Sequence, residues 1–314
     1  MLIMMYRNNI VKALLSRAIL FYPRLKGVMK MYKILKKRYI NRTGSSVEMV
    51  IEAPNVARNC SAGQFVILMP NERSERIPLT ISDYDREKGT ITIIFQPVGK
   101  TTKQLSYMYA GDSIYSFAGP MGKPTVICKN KKVAVIGGGV GCAIAYPVSK
   151  AMYRAGNFVD MIAGYKDEDT VFLAKEMARE STRFFLMTDD GSMGEKGFTT
   201  HKLKELISLG NRYDEVFVIG PTIMMKLICD VTKVYGLKTI VSMNPIMIDG
   251  TGMCGGCRFT VDGETKFACV DGPEFDGHLV DWDEVLKRNS FYSEEEKNID
   301  MHYCNLVGGV RSEK

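Results

Sequence analysis

The sequence lacks an uninterrupted apolar run of about 18 residues, the length needed to span a bilayer, because basic residues break every apolar stretch near its N-terminus. It also lacks a secretory signal with a small-residue cleavage site. Its eight cysteines are too few and too irregularly spaced for a secreted disulfide scaffold. These absences predict a soluble, cytoplasmic protein without a membrane span.

Acidic residues are absent from residues 1–47, which carry eleven of the 42 Lys and Arg residues. The formal net charge of +7 becomes −4 when these eleven residues are set aside. The basic excess therefore belongs to one end of the chain, and no basic patch interleaved with aromatic residues occurs elsewhere. We expect no nucleic-acid binding.

Residues 1–30 allow two interpretations. One face of a helix drawn through them is apolar, as in an organelle-targeting presequence, and consists of Ile10, Leu14, Ala18 and Phe21. Alternatively, the chain starts naturally at Met31 and residues 1–30 are an upstream extension. Neither interpretation bears on the fold, so we exclude this segment from it.

The pattern of apolar residues changes near Lys131. Before it, short strand-like runs punctuated by Gly and Pro, such as QFVILMP and GTITIIFQPV, predict an antiparallel β-barrel. After it, apolar strands alternate with helical stretches, which predicts a parallel sheet covered by helices on both faces. We therefore divide the chain into an N-terminal extension, a β-barrel, an α/β domain and a cysteine-bearing C-terminal segment, at 1–30, 31–128, 129–240 and 241–314.

A glycine-rich turn follows the first strand of the α/β domain, in VAVIGGGVGCAIA. It predicts a Rossmann-like nucleotide site, because bare backbone at a helix N-terminus can approach a pyrophosphate. A glycine cluster can also serve only to let helix and sheet pack closely. Two later loops reach the same sheet edge. The candidate nucleotide-binding residues are Gly137, Gly138, Gly139, Gly141, Asp189, Gly220 and Pro221.

The stretch RIPLTISD combines a cation, a rigid proline and a hydroxyl. Arg76 can neutralise a phosphate, and Thr80 can hydrogen-bond a ring nitrogen of a flavin. The later turn PVGKTTKQL offers backbone amides to a phosphate but lacks the first glycine of a Walker motif, which disfavours ATP chemistry. Without further context, RIPLTISD is an ordinary strand with a polar face.

Three cysteines, Cys254, Cys257 and Cys269, lie in the glycine-rich stretch MIDGTGMCGGCRFTVDGETKFACVDG. A hairpin turning at Asp262 and Gly263 would bring Cys269 back beside the other two. Thiolates select soft centres, so the stretch predicts an iron–sulfur cluster or, as the main alternative, a structural zinc. The remaining cysteines match no cofactor motif and are predicted to be packing or surface thiols: Cys60, Cys128, Cys142, Cys229 and Cys304.

An Arg-x-Pro-Leu-Thr strand, a Gly-Lys-Thr-Thr turn and a nucleotide domain containing Gly-Pro resemble the ferredoxin-NADP reductase superfamily. The resemblance implies that FAD lies between the barrel and the nucleotide domain. It assigns the flavin to Arg76, Pro78, Leu79 and Thr80, and the FAD diphosphate to Gly99, Lys100, Thr101 and Thr102. It also implies NAD(H) as the nucleotide.

The cysteine stretch itself resembles two families. Electron-transfer subunits of dihydroorotate dehydrogenase bind a 2Fe-2S cluster through four cysteines, and the first of those places here is Asp249. The run from MNPIMIDGTGMCGGC to FACVDGPEFDGHLVDW is similar to the small subunit of NADH-dependent reduced ferredoxin:NADP+ oxidoreductase, also known as sulfide dehydrogenase. In that family the aspartate ligates the cluster, which implies the ligands Asp249, Cys254, Cys257 and Cys269.

The second resemblance implies electron transfer between NADH, FAD and the 2Fe-2S cluster. It also implies a heterodimer with a larger glutamate-synthase-like flavoprotein, which carries further clusters and couples NADH and reduced ferredoxin to NADP+ reduction by electron bifurcation. One alternative is the electron-transfer subunit of dihydroorotate dehydrogenase, which Asp249 and the C-terminal motif disfavour. Another is a non-enzymatic iron–sulfur or zinc module with a structural or redox-sensing role.

Overall fold

The computed structural model describes residues 32–290. The two interpretations of residues 1–30, and the expectation for Cys304, lie outside this range. Within it, the chain builds two large sheets and one small hairpin.

The first sheet has seven antiparallel strands in the order β6-β1-β2-β5-β4-β3-β7. Its edge strands β6 and β7 are separated in the chain by the single residue Tyr115, so the sheet must curl until its two edges meet. Its inward side chains form a buried apolar core. The elements are β1 (Tyr32–Tyr39), β2 (Val47–Glu52), α1 (Pro54–Asn59), β3 (Phe65–Met69), β4 (Ile77–Asp85), β5 (Thr90–Phe95), α2 (Lys100–Tyr107), β6 (Ser113–Ile114) and β7 (Ser116–Met121).

The second sheet is parallel over six strands, in the order β11-β10-β9-β8-β12-β13. Alternate residues of β8 enter opposite cores: Val133 and Val135 pack with α3, while Ala134 and Ile136 pack with α5 and α6. The elements are β8 (Lys132–Gly138), α3 (Cys142–Arg154), β9 (Phe158–Tyr165), α4 (Ala174–Arg179), β10 (Arg183–Thr188), β11 (Glu195–Lys196), α5 (Thr199–Ser208), β12 (Glu215–Ile219), α6 (Thr222–Val234) and β13 (Thr239–Ser242).

The C-terminal segment is interleaved with the parallel sheet. Its elements are β14 (Arg258–Val261), β15 (Glu264–Phe267), β16 (Glu274–Asp276) and α7 (Trp282–Asn289). Strand β16 pairs antiparallel with β13 and becomes the seventh strand of the sheet. The predicted hairpin is confirmed between β14 and β15, where Asp262 and Gly263 adopt positive φ angles of 52° and 74°, as a two-residue type I′ turn requires.

Helix α7 ties this hairpin to the rest of the segment. The Glu284 carboxylate accepts a hydrogen bond from the Thr260 amide at 2.8 Å. The indole of Trp282 donates to the Gly277 carbonyl at 2.9 Å, and Arg288 donates to the Gly256 carbonyl at 3.2 Å. Hydrogen bonds therefore fix the cysteine-bearing loop and its hairpin to helix α7.

The predicted fold class, a β-barrel followed by a Rossmann-like domain and a C-terminal segment, is confirmed. Strand β1 was not predicted, because half of its sequence YKILKKRY is basic. The division at residues 128 and 240 stays a prediction, and the pairing of β16 with β13 shows that the last two parts share a sheet. Across residues 32–290, none of the helices has the length and apolar character required for a membrane crossing.

The Glu274 side chain links strand β16 to Thr125, which follows the last strand of the barrel. Its carboxylate accepts a hydrogen bond from the Thr125 hydroxyl at 2.6 Å. Burial raises the pKa of Glu274 to about 7, while the hydrogen bond from Thr125 acts in the opposite direction. No lysine, arginine or histidine contributes to this shift.

The raised pKa of Glu274 predicts a pH-dependent stability. Because the folded value lies above the unfolded value of about 4.3, the contribution of this group is complete below that pH and is lost as the pH rises through about 7. We expect Glu274→Gln to unfold at a higher denaturant concentration than wild type at pH 8, with the difference shrinking as the pH falls and vanishing at about pH 4.

The exposed Glu87 supplies the control. Glu87→Gln should retain the wild-type dependence of unfolding on pH, measured by circular dichroism. An identical pH dependence in Glu274→Gln and wild type would contradict the assignment.

Candidate functional site

The carboxyl ends of the parallel strands collect most of the predicted site residues at one edge of the sheet. The glycine turn follows β8, Asp189 follows β10, and Gly220 and Pro221 follow β12. The chain leaving β13 at the same edge runs directly into the cysteine-bearing stretch. Open α/β sheets bind their ligands at this edge.

A cavity of about 930 Å³ opens there between α5, α6 and the ends of the strands. This volume is within the range of small-molecule and cofactor sites. Four predicted residues line it, namely Gly138, Gly139, Asp189 and Pro221.

The glycine turn serves both roles considered from the sequence: it lets strand and helix pack closely, and it leaves backbone accessible to a ligand. A Cβ atom at Gly137 would lie 2.9 Å from the Cys142 Cα, and one at Gly141 would lie 2.5 Å from the Ile219 carbonyl oxygen. These two glycines therefore let strand and helix pack. Gly139 differs, because it has φ +55° and a Cβ there would meet nothing within 4 Å. Its backbone is left open to the cavity.

Several residues of the cavity were not predicted from the sequence. Phe198 and Ile223, which are 57% and 53% exposed, lie at the starts of α5 and α6 and can contact a flat ring. The cavity also contains three basic residues, Lys166, His201 and Lys204. In the sequence, the run GFTTHK at the start of a helix was the only indication that Phe198 and His201 belong to a binding site.

The cavity wall has two acidic residues, Asp189 at the end of β10 and Asp230 on α6. The Asp189 side chain is the one at a strand end. Burial raises its pKa, and the neighbouring Asp190 and Asp167 add to the shift, whereas Lys166 lowers it. An acidic side chain at a strand end of this kind can accept a hydrogen bond from a ribose hydroxyl.

The predicted flavin stretch forms the start of β4. Residues 77–80 are half-buried, and neither the Thr80 hydroxyl nor the Arg76 side chain has a polar partner among residues 32–290. The Thr101 hydroxyl donates to Glu75 at 3.3 Å, which brings the Gly-Lys-Thr-Thr turn beside Arg76. Lys100 likewise makes no ion pair within the described range. Two cations and a hydroxyl that lack partners within residues 32–290 fit a flavin and its diphosphate.

The cysteine-bearing loop brings two of its thiols together. The sulfurs of Cys257 and Cys269 are 3.3 Å apart, and both side chains are buried. Burial and the neighbouring Cys257 raise the pKa of Cys269 well above its ordinary value, so binding a metal there must displace a proton. Cys254 is exposed, and its sulfur accepts a hydrogen bond from the Gly256 amide at 3.4 Å.

Asp249 lies next to Cys254 through the backbone. Its Oδ2 accepts a hydrogen bond from the Cys254 amide at 2.7 Å. The Thr251 amide and then the Cys254 donors hold the pKa of Asp249 at about 2, so the carboxylate is charged. Between residues 32 and 290, no three His, Cys, Asp or Glu side chains are gathered around one point that could hold a single ion.

The donors fit a two-iron cluster better than a single zinc ion. A tetrahedral zinc needs its ligands around one point. A two-iron cluster takes two ligands on each iron, and Cys257 with Cys269, whose sulfurs are adjacent, is the first candidate pair. Asp249 and Cys254, adjacent through a hydrogen bond, are the second candidate pair.

The cysteine-bearing loop packs against the barrel beside the flavin stretch. A Cβ at Gly250 would lie 2.9 Å from the Ile67 Cγ1 atom and 2.2 Å from the Met121 sulfur, and its φ of +78° also favours glycine. Ile67 on β3 is the register partner of Pro78 on β4. The loop therefore contacts the strand directly adjacent to the flavin stretch.

The remaining cysteines agree with the prediction that they are packing or surface thiols. Cys60, Cys142 and Cys229 are buried, and Cys128 is half-buried. Burial raises the pKa of Cys142 to about 12, which keeps its thiol protonated and unreactive.

Comparison with known proteins relates these features to characterised families. Residues 244–281 match the family described as the iron-sulfur cluster binding domain of dihydroorotate dehydrogenase B. The chain is 45% identical over 258 residues to a dihydroorotate dehydrogenase B (NAD(+)) electron transfer subunit homolog of Thermotoga maritima, covering 82% of this chain and 91% of that protein.

Two solved structures are also similar. One comes from work on flavin-based electron bifurcation in the NADH-dependent reduced ferredoxin-NADP oxidoreductase. It is 41% identical, with a TM-score of 0.81, and the match covers 88% of this chain and 99% of that one. A ferredoxin NADP+ reductase from Neisseria gonorrhoeae, 15% identical with a TM-score of 0.53, covers 66% of this chain and 91% of its own, and shows the shared fold.

Gly139 and Gly156 provide a matched test of the nucleotide cavity. Both have positive φ angles, and a Cβ at either would meet nothing within 4 Å. Only Gly139 faces the cavity, since Gly156 precedes β9 at the opposite edge. Each change to alanine should cost roughly 1 kcal/mol of stability.

We expect Gly139→Ala to weaken NADH binding about tenfold or more, because the added methyl group occupies the approach to the backbone. Gly156→Ala should bind NADH like wild type. Calorimetric titration measures both affinities. Equal affinities in the two variants would contradict the assignment of this cavity to the nucleotide.

Proposed function

Since this chain belongs to the family of dihydroorotate dehydrogenase B electron-transfer subunits and their homologues, we propose that it passes electrons between NADH, FAD and a 2Fe-2S cluster as the small subunit of an NADH-dependent reduced ferredoxin:NADP+ oxidoreductase. A bound FAD exchanges two electrons with a nicotinamide and single electrons with an iron–sulfur cluster. The protein is an oxidoreductase subunit of the ferredoxin reductase type.

The contact of Gly250 with Ile67 carries this proposal. It seats the cysteine-bearing loop on strand β3, whose neighbour β4 presents Pro78 and Thr80. Gly250, which follows the candidate ligand Asp249, thus contacts the strand directly adjacent to the flavin stretch. Electron transfer needs such closeness, whereas a structural zinc site does not.

The residues of β4 and α2 are suited to hold FAD at this place. Arg76 and Lys100 are cations without ion pairs in the described part of the chain and can neutralise the diphosphate. The Thr80 hydroxyl can hydrogen-bond the flavin ring and influence its affinity for electrons. The backbone of the turn that begins α2 adds further donors.

The cavity between α5 and α6 is suited to hold the nicotinamide nucleotide. Gly139 lets the diphosphate approach the backbone, and Phe198 and Ile223 supply apolar contact for a ring. Asp189 can accept a hydrogen bond from a ribose hydroxyl. These residues bind and orient the nucleotide and perform no acid–base step.

The choice between two complexes rests on Asp249. Dihydroorotate dehydrogenase electron-transfer subunits have a cysteine at this place, whereas the small subunit of the ferredoxin:NADP+ oxidoreductase has an aspartate. We therefore propose a larger glutamate-synthase-like flavoprotein as the partner, in a complex that couples NADH and reduced ferredoxin to NADP+ reduction by electron bifurcation. The Thermotoga homologue supports the dihydroorotate dehydrogenase complex as a second candidate.

Copurification separates these two complexes. A tag on this chain should retain the larger flavoprotein when it is isolated from its source under anaerobic conditions. Retention of a dihydroorotate dehydrogenase instead would contradict the proposed complex and support the second candidate.

The ligand assignment predicts different results for two variants. Cys257→Ala should lose most of its iron and acid-labile sulfide, because it breaks the pair formed with Cys269. Asp249→Cys should retain a cluster with a changed reduction potential, since thiolate is a softer donor than carboxylate.

Iron and sulfide analysis measures the loss of the cluster, and a redox titration followed by electron paramagnetic resonance (EPR) measures the change in potential. Cys128→Ala is the control and should retain wild-type iron. Unchanged iron in Cys257→Ala would contradict the assignment of that cysteine as a ligand.

A further inference from the structure

Asp249 accepts three hydrogen bonds within its own loop. Its Oδ1 accepts from the Thr251 amide at 2.5 Å and from the Thr251 hydroxyl at 3.1 Å. Its Oδ2 accepts from the Cys254 amide at 2.7 Å. Thr251 therefore supplies both donors of one carboxylate oxygen, and one of these donors belongs to its side chain.

The two carboxylate oxygens of Asp249 differ in how many further hydrogen bonds or metal contacts they can accept. A carboxylate offers about four lone-pair positions, two on each oxygen. The amide and hydroxyl of Thr251 occupy both positions of Oδ1. Oδ2 retains one position, and this oxygen is the one bonded to the backbone of Cys254. The atom available to a metal is thus Oδ2.

The loop conformation enforces this arrangement. Gly250 and Gly252, on either side of Thr251, have φ angles of +78° and +85°. A Cβ at Gly250 would overlap Met121 and Ile67, and one at Gly252 would lie 3.2 Å from Val270. Packing on both sides of Thr251 therefore holds it against Oδ1.

We propose that Thr251 is a positioning residue for the iron–sulfur cluster: its hydroxyl holds Asp249 so that Oδ2 alone ligates iron, and it raises the reduction potential of the cluster. The inference rests on the proposed function, in which Asp249 is a ligand. A hydrogen bond to a ligand withdraws negative charge from it and favours the reduced, more negative cluster. Because Oδ1 accepts both of these hydrogen bonds, ligation through Oδ2 is favoured over bidentate ligation.

Thr251→Val tests this role because it removes the hydroxyl while keeping the backbone amide and the shape of the side chain. We expect the cluster of the flavin-loaded protein to remain, with its potential shifted to a more negative value and its EPR g-values changed. Thr251→Ser, which keeps the hydroxyl, should restore the wild-type potential and spectrum. The measurement is a redox titration followed by EPR.

Thr265→Val is the matched control. Thr265 is an exposed threonine of β15, in the same segment but at the far end of the hairpin. It should leave the potential and the g-values unchanged. If Thr251→Val loses its cluster, Thr251→Ala, which removes the hydroxyl with less bulk, must show the negative shift.

Two results overturn the inference in distinguishable ways. An unchanged potential and spectrum in Thr251→Val or Thr251→Ala with an intact cluster would refute the role of Thr251 and leave the proposed function standing. Absence of iron and sulfide from the wild-type protein would refute the proposed function itself, and the inference with it.

Discussion

The chain that leaves β13 crosses from the parallel sheet to the barrel and packs against it. The close contact of Gly250 with Ile67 makes this packing possible. A side chain at Gly250 would require Ile67 and Met121 to shift. The loop is held at its other end as well, because β16 returns to pair with β13 and α7 clamps the intervening hairpin. The cysteine-bearing loop is consequently attached both to the parallel sheet and to the barrel strand next to the flavin stretch.

Local features of this arrangement were predictable from the sequence because each depends on a few neighbouring residues. Asp262 and Gly263 are among the few residue pairs that readily adopt two positive φ angles, so the hairpin could be placed to the residue. The glycine turn after β8 was recognisable for the same reason. The alternation of strands and helices after Lys131 then determined the parallel sheet.

Other features depend on residues that are distant in the sequence. The pairing of β16 with β13 has no local signal, because Glu274–Asp276 is only three residues long. Phe198 and Ile223 belong to different helices and reach one cavity only after the sheet has formed. Asp249 was identified by resemblance, since an aspartate before glycine is by itself an ordinary turn residue. Its bonds to Thr251 required the structure.

Anaerobic titration of the purified protein with NADH, followed by visible absorption and EPR, tests the central claim most directly. The account predicts that NADH bleaches a bound flavin and that the signal of a reduced two-iron cluster appears in the same chain. A preparation that contains zinc in place of iron and sulfide, or a flavin that NADH reduces while an intact, chemically reducible cluster stays oxidised, would contradict it.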